Sequence, residues 1–163
     1  MSKDEKIKNL NILTDERAPY AERLSAYEFL MDDCEEIVDE MLARLVTAEG
    51  ETGKMLIEIL ARYNGNKAIY MGLVGYLYKG DDVALYARLL GSYGDERAIE
   101  VLKSFAKEYD LNYNEFMEVR AAVEQLGGYI DDSTDFSDDP FYRYLKGLDE
   151  KEEDTRKSPF DEE

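Results

Sequence analysis

Between Pro19 and Pro140 the chain runs for 120 residues without a proline. Proline removes a backbone donor and clashes with the preceding helical turn, so a proline-free span of this length can be helical throughout. Its apolar residues recur at helical rather than strand spacing. Ile37, Val38, Met41, Leu42, Leu45 and Val46 make one stripe; Met55, Leu56, Ile59, Leu60 and Tyr63 make a second; Ile69, Tyr70, Leu73, Val74, Leu77 and Tyr78 make a third. Ile99, Leu102, Phe105 and Tyr109 continue the pattern, followed by Phe116, Val119, Val123 and Leu126. Clusters of Gly, Asn and Asp separate the stripes, as residues that end one helix and begin the next. The pattern predicts an all-α chain with helices near 17–31, 35–48, 52–63, 66–79, 81–91, 95–109 and 113–127, about seven in all, and a weaker helical stretch at 3–12. Short connections between them imply antiparallel neighbours.

The breaks resemble one another. "LARYNGNKAI" (60–69), "LGSYGDERAI" (90–99) and "LGGYIDD" (126–132) superpose, aligning Leu60, Leu90 and Leu126, then Ala61, Gly91 and Gly127, then Tyr63, Tyr93 and Tyr129. Lys67-Ala68-Ile69 matches Arg97-Ala98-Ile99. Such a corner has a physical logic. Leucine packs inward at the end of the first helix, a small residue lets the chain turn, tyrosine fills the space beneath, and an Asp such as Asp95 caps the second helix. On this reading Tyr63, Tyr93 and Tyr129 are core residues. One helix pair cannot bury its apolar face alone, so neighbouring pairs must stack.

"ARLLGSYGDERAI" (87–99) resembles the signature of HEAT-like repeats of the short bacterial, phycobilin lyase-related type. "EVRAAVEQLG" (118–127) resembles that family's arginine-alanine helix, and "RLSAYEFL" (23–30) is a fainter copy. The resemblance is clear over 84–132 and extends over most of 14–132. It implies a short right-handed α-solenoid of stacked antiparallel helix pairs, with arginines such as Arg120, and by analogy Arg97, in structural roles at the joints. It also implies the role usual for such arrays, a scaffold or binding surface. The expected organisation is a partly helical segment over 1–13, a repeat domain over 14–130, and an acidic tail over 131–163 with a short docking helix at 140–148.

Composition narrows the function. The 163 residues hold 38 Asp and Glu against 20 Lys and Arg, a formal charge of −18. Such a chain repels nucleic acid and anionic membranes and favours basic partners. There is no His, the commonest general base and metal ligand, and no Trp. Cys34 is the one cysteine; it sits among Asp33, Glu35 and Glu36, which disfavour a thiolate and make it a structural residue. The metal-dependent hydroxylases of this repeat class need His-Glu pairs, and its DNA glycosylases need a basic groove. The acidic pairs at 35–40 and the cluster Asp131, Asp132, Asp135, Asp138 and Asp139 follow no EF-hand pattern and read as solvated faces. No apolar run approaches the length of a signal or membrane segment, so a cytoplasmic protein without membrane contact is expected.

The expectation is a non-catalytic, cofactor-free and metal-free protein that binds another protein of basic surface through an acidic, tyrosine-bearing face. An acidic inhibitor or immunity-type protein that neutralises a basic toxin or nucleic-acid enzyme is the alternative. Candidate binding residues are Tyr76, Tyr86 and Tyr113, as an exposed aromatic strip, with Phe141, Tyr142 and Tyr144 of the tail. Gly72 and Gly75, inside the third stripe, are read as sites of close helix packing.

Overall fold

The structure is a computed structural model, and it describes residues 1–131 and 134–147. Among these, nine α-helices occur in order: α1 (Lys3–Leu13), α2 (Tyr20–Asp32), α3 (Val38–Leu45), α4 (Gly50–Leu60), α5 (Lys67–Lys79), α6 (Val83–Tyr93), α7 (Ala98–Glu108), α8 (Tyr113–Gln125) and α9 (Pro140–Leu145). The all-α expectation holds. The stretch read as one helix over 35–48 is a 3-10 turn, Glu35–Ile37, followed by the eight-residue α3. The weak stretch at 3–12 is a full helix begun by a capping box, with the Ser2 hydroxyl accepting from the Glu5 N–H and the Glu5 carboxylate accepting from the Ser2 N–H. Leu10 and Leu13 are fully buried, so α1 belongs to the body.

Packing is mostly between neighbours. The pairs α1 with α2, α3 with α4, α5 with α6 and α7 with α8 lie side by side. Contacts to the next helix but one are also made, α2 with α4, α5 with α7, and most extensively α6 with α8. At that last contact Gly91 is required: a Cβ on it would stand 3.0 Å from both Cα and Cβ of Ala122. The central helix is α4, where Leu56, Ile57, Ile59 and Leu60 are wholly enclosed. Burying each such side chain contributes about 1.5–3 kcal/mol. Arg23 fastens α2 to its surroundings, donating to the Leu13 carbonyl at 3.2 Å and to the buried Thr52 hydroxyl of α4.

Two of the three aligned corners are physically alike. The Tyr93 hydroxyl donates to the Tyr63 carbonyl at 2.6 Å and accepts from the Asn66 N–H at 3.0 Å. One corner earlier, the Tyr63 hydroxyl accepts from the Cys34 N–H at 2.8 Å. Each tyrosine reaches back 29 or 30 residues and satisfies backbone left open where the preceding corner turns. The third corner departs from the pattern. The chain turns at Gly127 (φ 97°), and Gly128 closes on α7, where a Cβ would stand 2.8 Å from Ile99 Cγ2. Tyr129 is thereby carried outward and is 69% exposed, not a core residue.

Asp95 is not the cap of α7. Its Oδ1 accepts from the Arg97 N–H at 3.0 Å, and its carboxylate holds the Arg97 guanidinium, which lies 4.7 Å over the Tyr70 ring. Asp15 and Arg17 repeat the backbone part of this turn, Arg17 N–H to Asp15 Oδ1 at 3.0 Å, from the same four residues, Asp-Glu-Arg-Ala. Arg120 pairs with Glu124 one turn on at 3.2 Å.

Removing the Tyr93 hydroxyl in Tyr93→Phe leaves the Asn66 N–H and Tyr63 carbonyl without their partner. It should cost about 1–3 kcal/mol in urea unfolding, while Tyr129→Phe should be neutral.

Candidate functional site

The sequence-derived aromatic residues do not form one strip. Tyr76 and Tyr86 stack with ring centroids 5.4 Å apart, where α5 meets α6. Tyr86 is 3% exposed, a core residue and not the exposed one expected. Burial pushes its phenol well above the ordinary tyrosine range, with the Glu58 charge adding to the effect. Tyr76 is half-buried, and its hydroxyl occupies the space where a Cβ on Gly53 of α4 would be. Tyr113, Phe141 and Tyr142 belong to a second cluster at the other end of the chain. Tyr113 lies 5.0 Å from Tyr142 and 5.3 Å from Phe136, and Phe136 packs on Phe116 at 5.2 Å.

That second cluster is how the tail docks. The helix expected at 140–148 forms as α9, Pro140–Leu145; residue 148 lies outside the described residues, as do Asp132 and the acidic stretch beyond α9. Asp139 organises the joint. One carboxylate oxygen caps α9, accepting from the Phe141 and Tyr142 N–H groups at 2.9 and 3.0 Å. The other accepts from the Tyr113 N–H at 2.8 Å, at the start of α8. Tyr144 and Leu145 point away and are exposed.

A concave feature lies elsewhere, between α3 and α5. It is an apolar groove of about 600 Å³, walled by Leu42 and Leu45 of α3 and Val46 just past its end, and by Gly72, Gly75 and Tyr76 on α5. Val46 is 83% exposed and Met71, on the adjoining face of α5, is 54% exposed. A hollow of about 310 Å³ adjoins it at Tyr76 and Lys79, and adds Glu51, Asp81 and Asp82 to the rim. Lys54 is turned to Asp82 at 3.5 Å, and the Lys79 ammonium lies 4.3 Å over the Tyr76 ring.

Two glycines shape the floor, for different reasons. A Cβ on Gly72 would stand 3.1 Å from Ile57 Cδ1 and 3.4 Å from Leu45 Cδ2, so close packing explains it. A Cβ on Gly75 would meet nothing within 4 Å, and the close packing expected there is absent. A glycine inside a helix lowers its stability by about 1 kcal/mol relative to alanine. Gly75 therefore weakens α5 without relieving any contact within the chain.

Sequence reasoning found Tyr76 at this site and missed its walls. Leu42, Leu45 and Val46 sit in an apolar stripe that reads as core, and only the exposure of Val46 shows where the stripe runs out of partners. The glycine pair was the available signal. Cys34, by contrast, is fully buried, and burial pushes its thiol up, as suits the structural role expected of it.

Backbone donors, first that of Tyr113 and then that of Tyr142, favour the charged Asp139 carboxylate and hold it below the usual carboxylate range. Its contribution to docking α9 is complete above the unfolded Asp value of about 3.9 and disappears as pH falls through the lower folded value. Near-UV circular dichroism of the Tyr113–Tyr142 cluster should thus stay constant from neutral pH down to about 4 and then collapse. Asp139→Ala should show the collapsed signal at neutral pH.

Among the described residues no helix is long and apolar enough to cross a membrane. Set beside known proteins, the chain has no match among family models, curated proteins or solved structures.

Proposed function

We propose that the protein is a non-catalytic, HEAT-like repeat, a short right-handed α-solenoid, that binds another protein in the groove between α3 and α5. The groove itself carries this reading. An apolar concavity of about 600 Å³ with Val46 83% exposed at its edge is the kind of surface a folded chain keeps for a partner. The repeat reading draws support from contacts that run to the next helix and the next but one, and from the shared hydrogen bonding of the Tyr63 and Tyr93 corners. The array displays α3 and α5 on rigid helices. The Asn66 side chain caps α5, accepting from the Ala68 and Ile69 N–H groups, and Gly80 ends it at φ 79°. A preformed wall of this kind binds without first paying to order itself.

The acidic chain makes a basic partner the natural one, with fast, salt-sensitive association. Of the aromatic residues expected at the interface, Tyr76 lies in the groove; the Tyr113, Phe141 and Tyr142 cluster serves to cover the start of α8.

Val46→Asp places a charge at the mouth of the groove without touching the core. In affinity capture from cells, it should lose the partner that the unaltered chain retains, while its helical circular dichroism stays unchanged. A Tyr129→Ala control, altered at an equally exposed aromatic away from the groove, should retain it. Equal capture by all three would refute the assignment.

A further inference from the structure

The groove restricts the shape of what fills it. Its walls are helices whose backbone groups are already bonded within α3 and α5, faced by Leu42, Leu45, Val46 and Tyr76. An extended peptide laid there would bury N–H and C=O groups against side chains that offer it no partner. A helix bonds its own backbone and presents only side chains. On α5 the lining runs from Ala68 to Lys79, which at 1.5 Å per residue is about 16 Å, or three turns.

Gly75 adds the second restriction. It has no positive φ and no neighbour that a Cβ would strike, so neither the turn geometry nor the packing of this chain calls for glycine. What its bare Cα does is leave the middle of the groove low enough for another backbone to approach.

Charge selects among possible occupants. The rim carries Asp39 on α3 and Glu51, Asp81 and Asp82 beside Lys79, while Lys54 is already paired with Asp82. A second copy of the chain would bring a further formal −18 against this rim, and the chain's own residues 131–163 hold 13 acidic against 5 basic groups. Both are repelled; a cationic helix is attracted.

We propose that the groove takes an amphipathic α-helix of about three turns from a partner protein, with its apolar ridge over Gly75 and lysine or arginine on its flanks. This rests on the protein-binding reading above and names the class of partner. Recognition divides between the two features: the ridge sets register against the glycine floor, and the flanking cations reach Asp39 on one wall and the Glu51 and Asp81 carboxylates beyond Tyr76.

The probe is a fluorescein-labelled peptide of about 14 residues, long enough for about four turns, with leucines on one face and lysines on the other. Its controls are a scrambled peptide of the same composition and a leucine/glutamate counterpart, all measured by anisotropy in physiological salt against the full chain. The amphipathic lysine peptide should bind at least about tenfold more tightly than either control, and should shift amide resonances of 42–46 and 68–79. Gly75→Ala should raise the unfolding midpoint by about 2–4 °C. Gly75→Leu should stay folded yet weaken the peptide by about tenfold or more, because the added side chain fills the floor. Equal binding of the scrambled peptide, shifts confined to other helices, or undiminished binding to Gly75→Leu would each overturn the proposal. Failure of the peptide alongside Val46-dependent capture of a partner would overturn the helix assignment and leave the protein-binding reading standing. Peptide binding without such capture would support the groove's preference for a cationic helix and overturn the assignment of that helix to a cellular partner.

Discussion

The hydroxyl of Tyr93 bridges two backbone groups of the corner before it, and the placement of the central helices depends on that bridge. By holding the Tyr63 carbonyl and the Asn66 N–H, it fixes where α4 ends and α5 begins relative to α6. Tyr63 does the same for the Cys34 corner, from which the 3-10 turn and α3 depart. Stacked corners therefore set the separation of α3 and α5 at their starts. Backbone groups at a buried turn are costly to leave open, so a side chain that satisfies two of them acts as a spacer as well as a filler. The groove is what remains between α3 and α5, floored by Gly72 and Gly75 and walled by Leu42, Leu45 and Tyr76.

Charge and packing are separated in this molecule. Carboxylates crowd the surface, whereas buried ionic contacts are few among the described residues. Lys6 is the clearest: its side chain is almost wholly enclosed, while its ammonium meets Glu36 at 3.0 Å and Asp33 at 3.4 Å, tying α1 to the corner before α3. These hydrogen bonds, that to Glu36 foremost, raise its pKa and keep the ammonium charged. Glu58 is similar in kind, accepting from the Tyr27 hydroxyl at 3.2 Å in a setting whose burial pushes that phenol up to about 12. Most of the negative charge stays in water, where mutual repulsion opposes self-association.

The tail shows how one carboxylate can join two elements. Asp139 caps α9 with one oxygen and reaches the first N–H of α8 with the other, so a six-residue helix that could not stand alone is held by its neighbour. Phe136, Tyr113 and Tyr142 then close over the start of α8. The acidic composition of residues 131–163 hid this, because a single Asp that caps is indistinguishable in composition from those that are merely solvated.

Helical periodicity, the missing prolines and the Gly, Asn and Asp breaks were enough to place α2 and α4–α8 within a few residues, because those signals are local: they act through the backbone of the turn in which they sit. The kinship of the Tyr63 and Tyr93 corners was legible for the same reason. Which apolar residues are covered is a different kind of question. Tyr86 lies inside although it was expected on an exposed strip, and Tyr129 lies outside although it aligns with Tyr63 and Tyr93, since burial depends on which distant helix arrives opposite. Val46 continues a core stripe by spacing, yet α3 stops one residue before it and no neighbour covers it. Gly72 and Gly75 are three residues apart in one helix, and only the position of Ile57 and Leu45 makes the first a packing glycine and the second an open floor. The sequence by itself determined the helices and their corners; the tertiary structure alone decided the groove, because a cavity is defined by the distances between elements and not by the residues within any one of them.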